Sequence, residues 1–81
     1  MSRFDLLRIA TEVRADCPDY TDVVVHVDTV HHPPTVIELR CKHGRIKVWQ
    51  SGNTHPRLEV SSLMPRYYPL LQSVMARLDP K

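Results

Sequence analysis

The chain has 81 residues, of which 42% are hydrophobic, and a formal net charge of +2. This size predicts one domain with a single modest core. No apolar run approaches the roughly 18 residues of a membrane span, and the charged start MSRFDLLRIA lacks the apolar stretch of a secretory signal. Two cysteines, Cys17 and Cys41, are too few for a disulfide framework. We therefore predict a cytoplasmic protein with reduced thiols.

The first predicted element is a helix from about Ser2 to Asp16. Ser2 is a candidate N-cap, and Asp5 follows three residues later in the carboxylate position of a capping box. Pro18 disfavours the helical conformation in the residue before it, so the helix is expected to stop near Asp16. The apolar stripe at helical spacing consists of Leu6, Ile9, Ala10 and Val13.

A strand is predicted next, in the β-branched segment DVVVHVDTV at residues 22–30. Alternation divides its side chains between two faces. The inward set is Val23, Val25 and Val27, and the outward set is Val24, His26 and Asp28. The segment His31-His32-Pro33-Pro34 ends the strand, because neither proline can donate to a ladder.

Residues 35–50, TVIELRCKHGRIKVWQ, predict a β-hairpin with an oily face and a basic face. His43-Gly44 is a plausible two-residue turn, since glycine takes positive φ freely and histidine tolerates it better than most residues. That turn would place Lys42 opposite Arg45, Arg40 opposite Lys47, and Glu38 opposite Trp49. On the other face it would pair Cys41 with Ile46, Leu39 with Val48, and Ile37 with Gln50.

The last third of the chain predicts a loop, a short strand and a second helix. The loop is SGNTHP at residues 51–56. Residues 57–61 could form an edge strand with Leu58 and Val60 facing inward. The helix is expected to begin between Arg66 and Tyr68, so that Pro69 lies in its first turn, and to end at Asp79-Pro80. Its stripe is Tyr67, Leu71, Val74 and Leu78, flanked by Tyr68, Leu70 and Met75.

The element order α-β-β-β-(β)-α predicts a single α+β domain over residues 1–81. The simplest architecture is a three- to four-stranded antiparallel sheet with the N- and C-terminal helices packed on one face. This order resembles that of the double-stranded-RNA-binding domain. The second helix of that family opens with a lysine-rich turn, whereas the corresponding residues 61–66, SSLMPR, hold one arginine and no lysine.

The outward face of the predicted hairpin carries the candidate binding residues. Like charges directly opposite each other destabilise a sheet, so two such pairs beside a tryptophan suggest a surface for an anion. The candidates are Arg40, Lys42, His43, Arg45, Lys47 and Trp49. Cations that meet phosphates and an aromatic that stacks on bases point to nucleic acid, or to an acidic protein surface. Simple alternation would also place such residues in solvent, and that interpretation stays open.

Metal and catalytic sites find little support in the sequence. The histidines and cysteines lack the spacing of zinc ligands, so no metal or cofactor is expected, and Cys41 is interpreted as a small core residue. No serine sits beside a base in a nucleophile motif. His43 could serve as a base in RNA cleavage, by analogy with small RNase toxins of similar element order. We predict a protein that is not an enzyme.

The second helix offers a different surface. Methionine and tyrosine are common at protein interfaces, and the candidates here are Met64, Tyr67, Tyr68 and Met75. They could bind a protein partner or a second copy of the chain, or they could simply cap the core. A compact chain of this length resembles phage-encoded accessory proteins that inhibit host factors. The alternative function is therefore a protein-interaction or inhibitor module that uses this helix.

Overall fold

Four antiparallel strands form a meander in which each strand pairs with the next one along the chain. The computed structural model describes residues 4–31 and 34–78. Its strands are β1 (Val24–Val27), β2 (Val36–Cys41), β3 (Gly44–Trp49) and β4 (Arg57–Ser61), preceded by helix α1 (Leu6–Asp16) and followed by helix α2 (Tyr68–Leu78). The predicted α+β arrangement is confirmed. No described helix has both the length and the apolar character needed to cross a bilayer.

Both helices pack on the same face of the sheet, and one apolar core lies between the layers. Its buried members are Leu6, Ile9, Ala10, Val13, Val23, Ile37, Leu39, Ile46, Val48, Tyr67, Leu70, Val74 and Leu78. Gln50 is also buried, and both polar atoms of its side-chain amide form hydrogen bonds. Its Oε1 accepts from the Phe4 N–H over 2.9 Å, and its Nε2 donates to the Thr54 carbonyl over 2.7 Å. This residue joins the start of α1 to the loop before β4.

Helix α1 begins later than the sequence predicted. Its N-cap is Asp5, whose carboxylate accepts from the Arg8 N–H over 3.0 Å. A carboxylate is a good cap because it satisfies an otherwise unpaired donor of the first turn. The prediction of Ser2 as the cap was therefore wrong, and Ser2 itself lies outside the described residues. The predicted end at Asp16 is confirmed.

The hairpin turn is Lys42-His43, one residue before the predicted His43-Gly44. His43 takes the positive φ of +65°, and Gly44 is already the first residue of β3. A Cβ on Gly44 would lie 2.5 Å from the carbonyl oxygen of Ser62. The glycine is therefore needed for the close approach of the end of β4, and the turn does not depend on it.

The turn shift changes the partners across the hairpin but not the faces. The observed pairs are Val36 with Trp49, Ile37 with Val48, Glu38 with Lys47, Leu39 with Ile46, Arg40 with Arg45, and Cys41 with Gly44. Relative to the prediction, each residue of β2 meets a residue two positions earlier on β3. Because side chains alternate with a period of two, this slip leaves every inward residue inward.

The remaining elements agree with the sequence in type. Strand β1 is shorter than predicted, with Val24 and His26 exposed on the outward face as expected. Strand β4 has the predicted bounds and places Leu58 opposite Val48. A 3-10 turn at residues 65–67 precedes α2, so Pro69 falls in the first turn of the helix. The predicted stop at Asp79-Pro80 lies outside the described residues, as do His32 and Pro33.

The connection between β1 and β2 is held by Asp28. Its carboxylate accepts from the Val30 N–H over 2.9 Å and from the Thr35 hydroxyl over 3.0 Å, and it contacts His31 Nδ1 at 2.6 Å. The backbone donor at Val30, followed by His31, lowers the pKa of Asp28 from 3.8 to about 2. The ionised form of this carboxylate thus favours the folded state.

We predict that Gly44→Ala destabilises the protein by about 3 kcal/mol, because backbone atoms of the β4 end must move to admit the methyl group. The matched control is Gly52→Ala. Gly52 has φ +57° but open space around it, so only the backbone cost of about 1 kcal/mol applies. Chemical denaturation measures both. An equal or larger loss in Gly52→Ala would show that the close approach at Gly44 is unimportant.

We predict that Asp28→Asn destabilises the protein at neutral pH and that the difference from wild type shrinks in acid. A carboxylate with a lowered folded-state pKa stabilises the fold above its ordinary pKa and ceases to do so as the pH falls through the folded value. The difference should therefore close between pH 3.8 and about 2. Thermal denaturation at several pH values checks this, and a difference that stays constant down to pH 2 would contradict it.

Candidate anion-binding face of the sheet

The face of the sheet that is turned away from both helices carries most of the predicted binding residues. Strand β4 adds further side chains to it, since Arg57 lies opposite Trp49 and Glu59 opposite Lys47. The outward residues of the two central strands and β4 are Val36, Glu38, Arg40, Arg45, Lys47, Trp49, Arg57, Glu59 and Ser61. No helix of the described chain covers this face.

Only one pair of like charges is present across the hairpin, where two were predicted. Arg40 lies opposite Arg45, whereas Lys47 lies opposite Glu38 on one side and Glu59 on the other. The prediction of Arg40 opposite Lys47 and Lys42 opposite Arg45 was wrong because the turn is displaced by one residue. The electrostatic repulsion expected from the sequence is therefore reduced.

Glu38 is the organising carboxylate of this face. Its side chain is 13% exposed, and it accepts from Arg40 Nε and, over 3.3 Å, from Arg45 Nη1. The hydrogen bond from Arg40, aided by the nearby positive charges, lowers the pKa of Glu38. This carboxylate is thus ionised at neutral pH and holds the two guanidinium groups on either side of itself.

The face keeps an excess of positive charge after these pairings. The outward residues of β2, β3 and β4 carry four cationic side chains and two carboxylates, a net charge of +2. Lys42 lies in the turn, where its N–H donates to the Tyr67 hydroxyl on the helix side of the sheet. Lys47 Nζ lies 5.3 Å from the centre of the Trp49 ring, which is a cation–π contact. Trp49 is half-buried, and a base that stacks on this side of the ring must first displace Lys47.

A shallow depression of about 410 Å³ lies at the turn end of this face. Glu38, Arg40, Arg45, His43 and Ser61 contribute polar side chains to its lining. Its two arginines come from adjacent strands, and His43 stands at the tip of the hairpin. Guanidinium groups in this arrangement can bind carboxylate or phosphate oxygens.

The predicted interface residues of the second helix separate into two groups. Tyr67 is fully buried, and its hydroxyl donates to Asp22 and accepts from the Lys42 N–H over 3.3 Å. Tyr67 therefore belongs to the core and cannot offer its side chain to a partner. In contrast, Tyr68, Met75 and Met64 are 48%, 51% and 36% exposed.

Tyr68 and Met75 line an apolar groove between β4 and α2 that the sequence did not predict, whereas Met64 lines neither of its depressions. Two adjoining depressions of about 520 and 460 Å³ form it and share Gln72 and Met75. Leu58 and Val60 of β4 line its floor, and Val60 is 41% exposed. The groove exists because α2 lies to one side of the edge strand. Its only signal in the sequence was the surplus of apolar residues in α2.

Over residues 4–31 and 34–78, no three His, Cys, Asp or Glu side chains gather as metal ligands would. Cys17 and Cys41 are both reduced and half-buried. Desolvation raises the pKa of each thiol, so neither thiol is activated as a nucleophile. No family model matches the chain, and no curated protein or solved structure matches it.

Proposed function

We propose that this protein is a non-enzymatic binding module whose basic sheet face docks on an anionic partner. The observation that supports the proposal is the pair of arginines, Arg40 and Arg45, held on either side of Glu38 on the face that no described helix covers. A guanidinium group is always charged and matches the geometry of phosphate and carboxylate oxygens. The pair is thus positioned before a ligand arrives.

The contacts to Glu38 leave binding capacity on both arginines. Arg40 uses its Nε and Arg45 uses Nη1 for this carboxylate, and Nη2 of Arg45 lies 3.9 Å from Glu59. Each guanidinium has further N–H donors, and the two side chains are 55% and 48% exposed. An incoming oxyanion can therefore bind the outer donors while Glu38 keeps the inner ones.

Nucleic acid is the partner class that the face favours. Several cations spread over three strands suit a polymer with regularly spaced phosphates, and Trp49 adds an aromatic ring beside Lys47. An acidic protein surface offers carboxylates to the same guanidinium groups, and binding of such a protein with no affinity for nucleic acid would select it instead.

We predict that Arg40→Gln weakens the binding of single-stranded nucleic acid at low salt, while Arg8→Gln leaves it unchanged. The two arginines are matched, because each is exposed and donates through Nε to one glutamate, Arg40 to Glu38 and Arg8 to Glu12. Only the first lies on the sheet face. Loss of one phosphate contact should also reduce the salt slope of the affinity by about 0.7. Fluorescence anisotropy measures both quantities, and equal effects of the two substitutions would contradict the proposal.

We predict the opposite effect for Glu38→Gln, which removes the negative charge between the arginines and should tighten nucleic-acid binding several-fold. Glu12→Gln is its matched control. Glu12 likewise accepts from two arginines, Arg8 and Arg77, but it does so on the helix layer. The same anisotropy titration tests both variants. Weaker binding by Glu38→Gln would mean that the carboxylate itself contacts the partner.

A second candidate function is protein docking through the apolar groove between β4 and α2. The observation that favours it is the exposure of Tyr68, Met75 and Val60 around two adjoining depressions. Exposed apolar side chains that cluster in this way mark interaction surfaces. The groove and the basic face belong to opposite sides of the same sheet.

A further inference from the structure

The outer edge of β4 presents unpaired backbone groups beside the apolar groove. The Gln50 N–H donates to the Thr35 carbonyl over 3.0 Å, which makes these two residues a hydrogen-bonded pair of β2 and β3. Bonding direction alternates along each strand. The odd-numbered residues of β3 and β4 therefore bond with each other, and Leu58 and Val60 direct their N–H and C=O groups away from the sheet. Among the described strands, none pairs with this edge.

An exposed edge of this kind is a template for another strand. The apolar groove lies directly beneath it, because Leu58 and Val60 also contribute side chains to the groove. A partner that pairs with β4 would thus gain backbone hydrogen bonds and cover apolar side chains in one contact. This combination favours a strand followed by an apolar helix as the occupant, and the chain itself carries that arrangement in β4 and α2.

We propose that the occupant is a second copy of this chain, which pairs antiparallel with β4 about a two-fold axis at Leu58. The proposal rests on the second candidate function, since it names the partner of the apolar groove. The two sheets become one continuous sheet of eight strands, and α2 of each copy faces the groove of the other. A two-fold contact of this kind requires a self-complementary surface.

The charges of β4 supply that complementarity. When Leu58 faces Leu58 of the second copy, Arg57 lies opposite Glu59 of the second copy, and symmetry repeats the pair. Opposite charges directly across a sheet are stabilising. The neighbouring register, centred on Glu59, would place Glu59 against Glu59 of the second copy. Like charges at that position are destabilising, so the charge pattern favours the register centred on Leu58 over the one centred on Glu59.

The backbone groups fit the same register. Leu58 and Leu58 of the second copy exchange two hydrogen bonds, because both point their donors and acceptors at the shared edge. The Val60 N–H meets the carbonyl of Pro56 of the second copy. Pro56 cannot donate, and its carbonyl oxygen already lies 2.8 Å from His55 Nδ1 of its own chain. The second lone pair of this oxygen can accept the Val60 N–H. The contact therefore has four backbone hydrogen bonds and no N–H group of β4 left without an acceptor.

A charge-swap experiment tests the register. We expect the full chain to sediment as a dimer at high micromolar concentration. Arg57→Glu and Glu59→Arg should each raise the dimer dissociation constant by about tenfold or more, since both create two like-charged pairs. The double variant R57E/E59R should restore it. Failure of the double variant to recover, with the fold intact by circular dichroism, would overturn the register.

A second pair of variants tests the groove without changing β4. Met75→Glu should weaken the dimer, because it places a charge in the covered groove. Leu7→Glu is the matched control, since Leu7 is 48% exposed on α1 and lines neither depression. It should leave the dimer unchanged. Equal effects of the two substitutions would overturn the proposal.

The mass of the wild-type protein in solution, measured by sedimentation, tests this proposal separately from the functions proposed above. A monomer at every concentration would overturn the second copy. If the wild-type chain is a monomer and Met75→Glu abolishes its binding to a different protein, the second copy is overturned but protein docking through the groove is supported. Neither result bears on the basic face, whose binding is measured with Arg40→Gln.

Discussion

The register of β2 against β3 is the constraint on which both surfaces of this protein depend. This register decides which charged side chains are neighbours on the outward face of the sheet. It also decides which apolar side chains pack against the helices. The turn Lys42-His43 sets that register, with His43 accepting the positive φ. Gly44 then lets the end of β4 approach the hairpin closely. One short segment thus fixes the position of three strands.

Much of the fold could be predicted from the sequence because its strongest signals are periodic. The helical stripe of α1 and the alternation of β2 and β3 are unaffected by an error of three residues in the cap and of one residue in the turn. The turn was misplaced because a glycine can be required either for positive φ or for the absence of a side chain. The sequence suggested Gly44 for its freedom at positive φ, whereas the structure uses its missing side chain beside Ser62. A close contact between distant residues leaves no local signal.

The sequence predicted which residues lie on the candidate face, but it did not predict which of them lie opposite each other. Arg40, Arg45 and Lys47 are on the expected face, because a slip by two residues preserves the faces. Glu38 was expected at the far end, opposite Trp49, and instead lies between two arginines and beside Lys47. Tyr67 illustrates a different difficulty. A tyrosine at a helix start is consistent with an exposed or a buried site, and its hydrogen-bond partner Asp22 is 45 residues away in the sequence.

Glu38 has a consequence for the kind of anion that this face can select. A carboxylate tethered between Arg40 and Arg45 is always present at high effective concentration. A small solitary anion, such as free phosphate or a mononucleotide, has to compete with it and gains no other contact. A polymer bound as proposed would also meet Lys47 and Arg57, so its several weak contacts would outweigh the same competition. Glu38 would thus lower the affinity of this face for small anions more than its affinity for extended ones.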